Sequence, residues 1–312
     1  MHRPASLAFA LILIAACVTG CANRGLPVDP SIEATFPRHP LVGELPRELR
    51  VVTFNVHGEP AEVVAGALQR DRQLREADVI VLQEVQRIEP LGAARSASWC
   101  SAACGIGKLL GFHAVYAAGH AIPGGSHGVA ILSRAPITSA QVLELPFFDV
   151  VFNSGRRVVL AATLEVAGTP VTVYAVHLDN RLTVRDRRTQ VLPVLAHAAR
   201  QPTPVIIAGD FNTSPFTWLG HVVPILTTTQ DNRLEALVRA FGFQTPVTAS
   251  GPTHRVLAMR LDAIYTRGFE TTKFAVSDAD DVSDHLALWA QLRAIRRAPV
   301  RAPDPRALAS AE

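Results

Sequence analysis

Between residues 49 and 293, short runs of β-branched and apolar residues alternate with segments whose apolar positions recur at helical spacing. Strands are predicted over residues 50–54, 79–82, 128–132, 157–165, 171–176 and 204–208, and again over 261–265, 270–276 and 286–292. The runs 157–165 and 171–176 form a hairpin about Gly168-Thr169-Pro170. Helices are predicted from about Ala61 to Arg75, over 183–199 and over 234–241. Two sheets packed face to face with helices outside would bury this pattern.

The two ends break it. Met1-His2-Arg3 is a short basic start, and residues 7–18 are an unbroken apolar run of twelve. That is the length of a secretory signal core and too short to span a bilayer as a helix. The run closes on Val18-Thr19-Gly20-Cys21, which resembles a bacterial lipobox, with Cys21 lipidated as the new N-terminus; Ala22 after it suits an outer membrane. The other reading is an ordinary cleaved signal with Cys21 incidental. Residues 22–48 carry Pro27, Pro30, Pro37, Pro40 and Pro46 without a clear period. The expected organisation is a signal over 1–20, a tether over 21–48, one domain over 49–293 and a disordered basic tail over 294–312, in an exported, lipid-anchored, monomeric protein.

Export changes the reading of the cysteines, because it places them in an oxidising compartment. With Cys17 in the signal and Cys21 acylated, Cys100 and Cys104 remain. A local disulfide is expected, two buried thiols being the alternative; no clustered His supports a metal there.

The net charge of +3 is concentrated at the C-terminal end, where five Arg from residue 293 onward face only Asp304 and Glu312. Residues 21–292 hold 24 basic and 25 acidic residues, a net −1. A protein built to grip long duplex DNA needs a marked basic excess. Nucleic acid is therefore a disfavoured partner.

Polar residues fall where the predicted strands end. Asn55, Glu84 and His177 follow strands, as do Asp210 and Asn212; Asp284-His285 opens the last strand, and Asp262 lies in the strand 261–265. Each alone reads as a turn former or a hydrogen-bonded structural residue. Delivered jointly by six strands, they make a site.

The segments Leu49-Arg-Val-Val-Thr-Phe-Asn55-Val, Val81-Leu-Gln-Glu84-Val, His127-Gly-Val-Ala-Ile-Leu-Ser-Arg134, Val176-His177-Leu, Gly209-Asp210-Phe-Asn212, Arg260-Leu-Asp262-Ala-Ile-Tyr265 and Val282-Ser-Asp284-His285 resemble the endonuclease/exonuclease/phosphatase superfamily. The resemblance covers residues 49–293. It implies an α+β fold, a four-layer αββα sandwich of two mixed sheets, that hydrolyses phosphate esters with magnesium, or with manganese or another divalent cation.

It also implies roles. Glu84 would be the principal metal ligand, with Asn55 beside it and Asp284 close by. Asp210 would orient or deprotonate water and Asn212 would hold a phosphate oxygen. His285 would contact the phosphate or act as acid–base, its tautomer fixed by Asp262. His177 would donate to the phosphate.

Val129 stands where relatives often have Asn, so a substrate contact is expected to be missing. His177-Leu-Asp179 followed by Arg187-Arg-Thr-Gln190 resembles a pattern common in small bacterial members; Asp179 and Arg187 could support the site residues from behind, but a helix cap and a solvated helix face are the preferred readings.

The function expected is a phosphodiesterase acting on phospholipid head groups or small phosphate esters. A secreted nuclease is the alternative, and a non-catalytic lipoprotein that binds a phosphorylated ligand is a third reading. The substrate-choosing loops are expected in 86–127 and 213–258.

Overall fold

The structure, a computed structural model, describes residues 31–36, 48–88, 100–149, 155–213, 216–220, 222–226, 230–245, 250–256, 258–277 and 282–295. The expected signal, Cys21 and the tail from residue 296 onward lie outside the described residues.

A seven-stranded sheet joins β1 (Ile32–Thr35), β4 (His113–Ile122), β5 (Gly125–Ser133), β3 (Val79–Ile88), β2 (Glu48–Asn55), β14 (Ala287–Ala294) and β13 (Phe269–Ser277), in that spatial order. A five-stranded sheet joins β12 (Asp262–Arg267), β9 (Val205–Asp210), β8 (Thr169–His177), β7 (Val158–Val166) and β6 (Ile137–Glu144). Both are mixed, because β2 runs parallel to β3 and β8 parallel to β9 while the other pairs are antiparallel. A separate hairpin pairs β10 (Phe216–Leu219) with β11 (Val223–Leu226).

Alternation along the strands makes the layers. Val51, Val79, Val81 and Ile131 point from the first sheet toward Leu160, Val173, Ile206 and Ile264 of the second, forming the inter-sheet core. The opposite faces take helices. Val52, Phe54, Ile80 and Leu82 pack on α1 (Ala61–Arg70) and α2 (Ala102–Leu110). Tyr174, Val176 and Ile207 pack on α3 (Val184–Ala199) and α4 (Gln230–Ala240). Because strands such as β8 and β9 are covered on both faces, they read as continuous apolar runs. Truncating Ile264, fully buried between the sheets, to Ala should cost about 2–5 kcal/mol.

Several boundaries differ from the expectation. The first helix stops at Arg70, because the Asp71 carboxylate accepts the N–H groups of Gln73 (2.7 Å) and Leu74 (2.9 Å) and starts a separate turn. The β7–β8 hairpin turns on Ala167-Gly168, both at positive φ, which leaves Thr169 and Pro170 in the strand.

Residues Ile32–Thr35, expected in a tether, form an edge strand against β4. Glu33 fixes it there by accepting the N–H and hydroxyl of Ser101, each at 2.9 Å, and by facing Arg87 at 3.3 Å. Ser101 also caps α2, Gly111 ends that helix in the left-handed region, and a disulfide links Cys100 to Cys104 across its first turn. At the other end β14 runs to Ala294, and Ile295 donates its N–H to Gly268 O, so the domain extends two residues beyond 293.

Candidate active site

Two parallel strand pairs, β2–β3 and β8–β9, deliver the polar residues. Asn55 ends β2, and Glu84 lies in β3 at an irregularity between Leu82 and Val85. Glu84 adopts φ +55°, so the bulge turns its carboxylate out of the strand alternation. His177 and Asp210 end β8 and β9 and are register partners. Gly209 makes that juxtaposition tolerable: a Cβ there would sit 1.9 Å from Val176 O. Asp262 opens β12, and His285 lies just before β14.

These side chains converge. Asn55 Nδ2 donates to Glu84 Oε1 at 3.1 Å and to Asp210 Oδ2 at 3.2 Å, while Asn55 Oδ1 accepts the His57 N–H at 3.1 Å. His177 Nε2 lies 3.5 Å from Asp210 Oδ2 and 3.8 Å from Glu84 Oε1. His285 Nε2 lies 3.8 Å from the same Asp210 oxygen, and its Nδ1 lies 2.9 Å from Asp262 Oδ2.

Asn212, at φ +50°, donates its N–H to Asp210 Oδ1 at 2.8 Å and its amide to Leu178 O at 2.9 Å. Its contacts therefore position Asp210. Asp284 sits differently: its carboxylate faces His254 Nε2 at 3.5 Å and His57 Nδ1 at 4.0 Å. Among the described residues no hydrogen bond or ion pair joins Asp284 to Asn55 or Glu84. Glu84, His57 and Asn212 all hold positive φ, a concentration of backbone strain at one place.

The electrostatics divide the groups by role. Burial pushes the Asp210 carboxyl up to about 7 against the pull of His285, and the Asp262 charge adds to the rise. Burial opposes a charge on His285, but the carboxylates of Asp262 and Asp210 outweigh it and push the imidazole up to about 10. Burial and the Arg157 guanidinium hold His177 well below the ordinary histidine range. Contact with His254 holds the Asp284 carboxyl below the usual carboxylate range. The site thus pairs a cationic imidazole and a neutral one with a carboxyl that titrates near neutral pH.

The sequence reading missed residues that touch this set. His254 joins it through a backbone bridge to His285 and ring contact at 5.2 Å. Arg157 reaches His177 Nδ1 at 2.9 Å. Asp179 is buried against Arg157 Nε (2.9 Å) and Gln190 Nε2 (2.7 Å) and is not a helix cap; Thr183 caps α3 instead. Arg187 is fully buried and donates to the carbonyls of Asn180 and Leu182, so it is no solvated helix face. The signal is the Asp, Arg and Gln at positions 179, 187 and 190, whose spacing puts Arg187 and Gln190 on one helix face and whose contacts favour the supporting role over the cap and the solvated face. Val129 packs in the inter-sheet core, which explains its apolar character.

As to metal donors, two carboxylates, Glu84 and Asp210, converge on the Asn55 amide, whose Nδ2 faces them while its oxygen accepts the His57 N–H. That is a place of concentrated negative charge built from hard donors, which fits a divalent cation of the magnesium type. Two further groupings bring ligand atoms together: His254, Asp284 and His285, and Asp210, Asp262 and His285.

A sequence model described as the endonuclease/exonuclease/phosphatase family matches residues 52–285. No curated protein matches the chain. Among solved structures it is similar to an endonuclease/exonuclease/phosphatase from Beutenbergia cavernae, 24% identical, covering 80% of this chain and 72% of that one at a TM-score of 0.62. It is similar to the human Nocturnin catalytic domain with bound sulfate, 15% identical over 85% and 98% of the two chains, TM-score 0.56. A third is D. rerio TDP2 complexed with single-strand DNA product, 16% identical over 78% and 98%, TM-score 0.55. At these identities the likenesses establish the two-sheet sandwich. With the match spanning the strands that carry Asn55 through His285, the chain belongs to the endonuclease/exonuclease/phosphatase family, whose members are hydrolases of phosphoric ester bonds.

Proposed function

We propose that the protein is a divalent-metal-dependent phosphodiesterase acting on phospholipid head groups or small phosphate esters, exported and held at a membrane through Cys21. One observation carries the chemistry: a buried carboxyl, Asp210, lies within 4 Å of two imidazoles and shares the Asn55 amide with Glu84.

Asn55 and Glu84 would hold the cation, magnesium or manganese by donor type, which when bound neutralises phosphate charge and assists ionisation of water. Asp210 takes the proton of the attacking water, its raised affinity matching a base that works near neutral pH. Asn212 keeps that carboxyl aimed by holding Oδ1, which leaves Oδ2 toward the histidines. His285, cationic and oriented by Asp262, meets the negative charge of the phosphate as the phosphorus becomes five-coordinate. His177 adds a neutral donor from the end of β8, beside Asp210. Burial of these groups strengthens each interaction relative to water.

The lipid-directed reading rests on the lipobox resemblance and on the net −1 of residues 21–292. A nuclease is the second reading, since D. rerio TDP2 shares the fold and is complexed with single-strand DNA. Magnesium-loaded protein should be assayed on a generic phosphodiester, a phosphomonoester, phospholipid vesicles and single-stranded DNA. Turnover of the diester and the lipid, with DNA cleaved at least tenfold more slowly, is the expected result. Preferred DNA cleavage would replace the reading with the nuclease, and metal binding without turnover of any ester would leave only a ligand-binding lipoprotein.

A further inference from the structure

Arg157 stands directly before β7 and is buried, and the chemistry above does not use it. Its Nη1 lies 2.9 Å from Nδ1 of His177 and 3.4 Å from Nε2, so the shorter contact, to Nδ1, takes the hydrogen bond. The guanidinium is itself held. Its Nε donates to Asp179 Oδ1 at 2.9 Å; Asp179 Oδ2 accepts Gln190 Nε2 at 2.7 Å, and Asp179 donates its N–H to Gln190 Oε1 at 2.9 Å. Gln190 is fixed on α3, so the chain of contacts runs from a helix through a carboxylate and a guanidinium to one ring nitrogen.

A guanidinium has only donors, so the nitrogen that meets it must present a lone pair. A proton on Nδ1 would set N–H against N–H in a buried place. The other nitrogen meets the reverse demand: Nε2 faces Asp210 Oδ2 at 3.5 Å and Glu84 Oε1 at 3.8 Å, both acceptors. One tautomer, with the proton on Nε2, satisfies both sides of the ring, and the other satisfies neither.

We propose that Arg157, held by Asp179 and Gln190, is a positioning residue that fixes the Nε2–H tautomer of His177 and so makes that imidazole a hydrogen-bond donor to a phosphate oxygen. The kinetic part rests on the phosphoesterase reading; the tautomer does not. Had an acid occupied the place of Arg157, Nδ1 would carry the proton and Nε2 could serve as a base. Arginine closes that route, leaving Asp210 as the site's water-activating group.

The test is nuclear magnetic resonance of protein labelled with ¹⁵N-histidine. Long-range proton–nitrogen correlations read which ring nitrogen of His177 is protonated, with and without magnesium, and His177→Gln identifies the signal. The expected wild-type result is a proton on Nε2 in both conditions. Arg157→Met should give Nδ1–H or a mixture and lower kcat on a generic phosphodiester at least tenfold. Arg157→Lys keeps one donor and should restore Nε2–H with part of the lost kcat, which a merely structural role would not distinguish. Should Arg157→Met fail to fold, Asp179→Asn, which loosens the guanidinium, should give the mixture. Nδ1–H in the wild type, or an unchanged tautomer in folded Arg157→Met, would overturn the proposal. The wild-type tautomer with no turnover of any phosphoric ester would support it and sink the functional reading instead.

Discussion

Asp262 Oδ2 lies 2.9 Å from His285 Nδ1, and this contact ties the first residue of the five-stranded sheet's β12 to a residue two before the start of the seven-stranded sheet's β14. The two layers of the sandwich are thus joined at the site by a carboxylate–imidazole pair. Thr253 supports it by accepting the N–H groups of Leu261 (2.9 Å) and Asp262 (3.1 Å).

This pair gives stability a pH dependence. His285 binds its proton more tightly folded than unfolded, up to about 10 against 6.5. Its contribution is therefore full below pH 6.5 and lost as pH rises through 10. Melting metal-free protein from pH 6 to 10 should show falling Tm, and Asp262→Asn should flatten the slope. An equal slope in the variant would mean that other groups set it. The same variant should lower kcat about 10²–10³-fold, the usual loss when one electrostatic partner of the transition state is misplaced.

Asp210 adds a pH dependence of the same sign at lower pH. Its folded carboxyl, raised from 3.8 to about 7 by burial, favours the native state at low pH, and this support disappears as pH rises through 7. At pH 8 the ionised, buried carboxylate is a liability, so Asp210→Asn should stabilise metal-free protein by at least about 1 kcal/mol. It should also abolish turnover. Denaturant melts at pH 5 and pH 8 decide it: a gain that is no larger at pH 8 contradicts the assignment.

Glu84 combines a charge with a left-handed backbone. Glu84→Gln keeps the strain and removes the charge, so calorimetry should show weakened magnesium binding with Tm little changed. Glu84→Gly also relieves φ +55°, worth about 1–2 kcal/mol, so it should melt higher than Glu84→Gln while binding magnesium equally poorly. Unaltered magnesium affinity in both variants would place the ion elsewhere.

The Cys100–Cys104 disulfide closes a short loop, and the chain-entropy estimate for such a loop is about 2 kcal/mol. The double Ser variant should lose that much in urea. Hydrogen exchange should quicken at β1 and the start of α2, which Glu33 and Ser101 join. Faster exchange confined to the five-stranded sheet would refute the local account.

The arginines of the C-terminal end bear on substrate class. Arg293 belongs to the domain, paired with Glu48 and Glu270, so truncation should fall after Ile295 and remove Arg296, Arg297, Arg301 and Arg306. For a lipid or small-ester enzyme, kcat/KM on a soluble diester should hardly change, and any loss should appear on anionic vesicles, at about 1 kcal/mol per Arg. A steep salt dependence for DNA that collapses on truncation would instead favour the nuclease. Cys21→Ser, fractionated beside it, should move the protein from membranes to the soluble exported fraction.

The sequence by itself determined the strands buried on both faces and the ends at which polar residues leave them. The middles of strands such as β8 and β9 are almost wholly apolar because sheet and helix cover them, and that demand acts residue by residue. It missed β4 and α2, which lie in the stretch 86–127 read as a substrate-choosing loop, β6, which is only partly buried, and β1, four residues long, which its ladder to β4 and the contacts of Glu33 hold in place. What the tertiary structure alone decided is which polar atoms meet. The bulge at Glu84, the turning of Asp284 toward His254 and the pairing of Arg157 with Asp179 depend on contacts between residues on different elements. A local pattern records whether a position is buried or exposed, but a buried charge is stabilised only by its partner, and the partner is set by the packing of the two sheets.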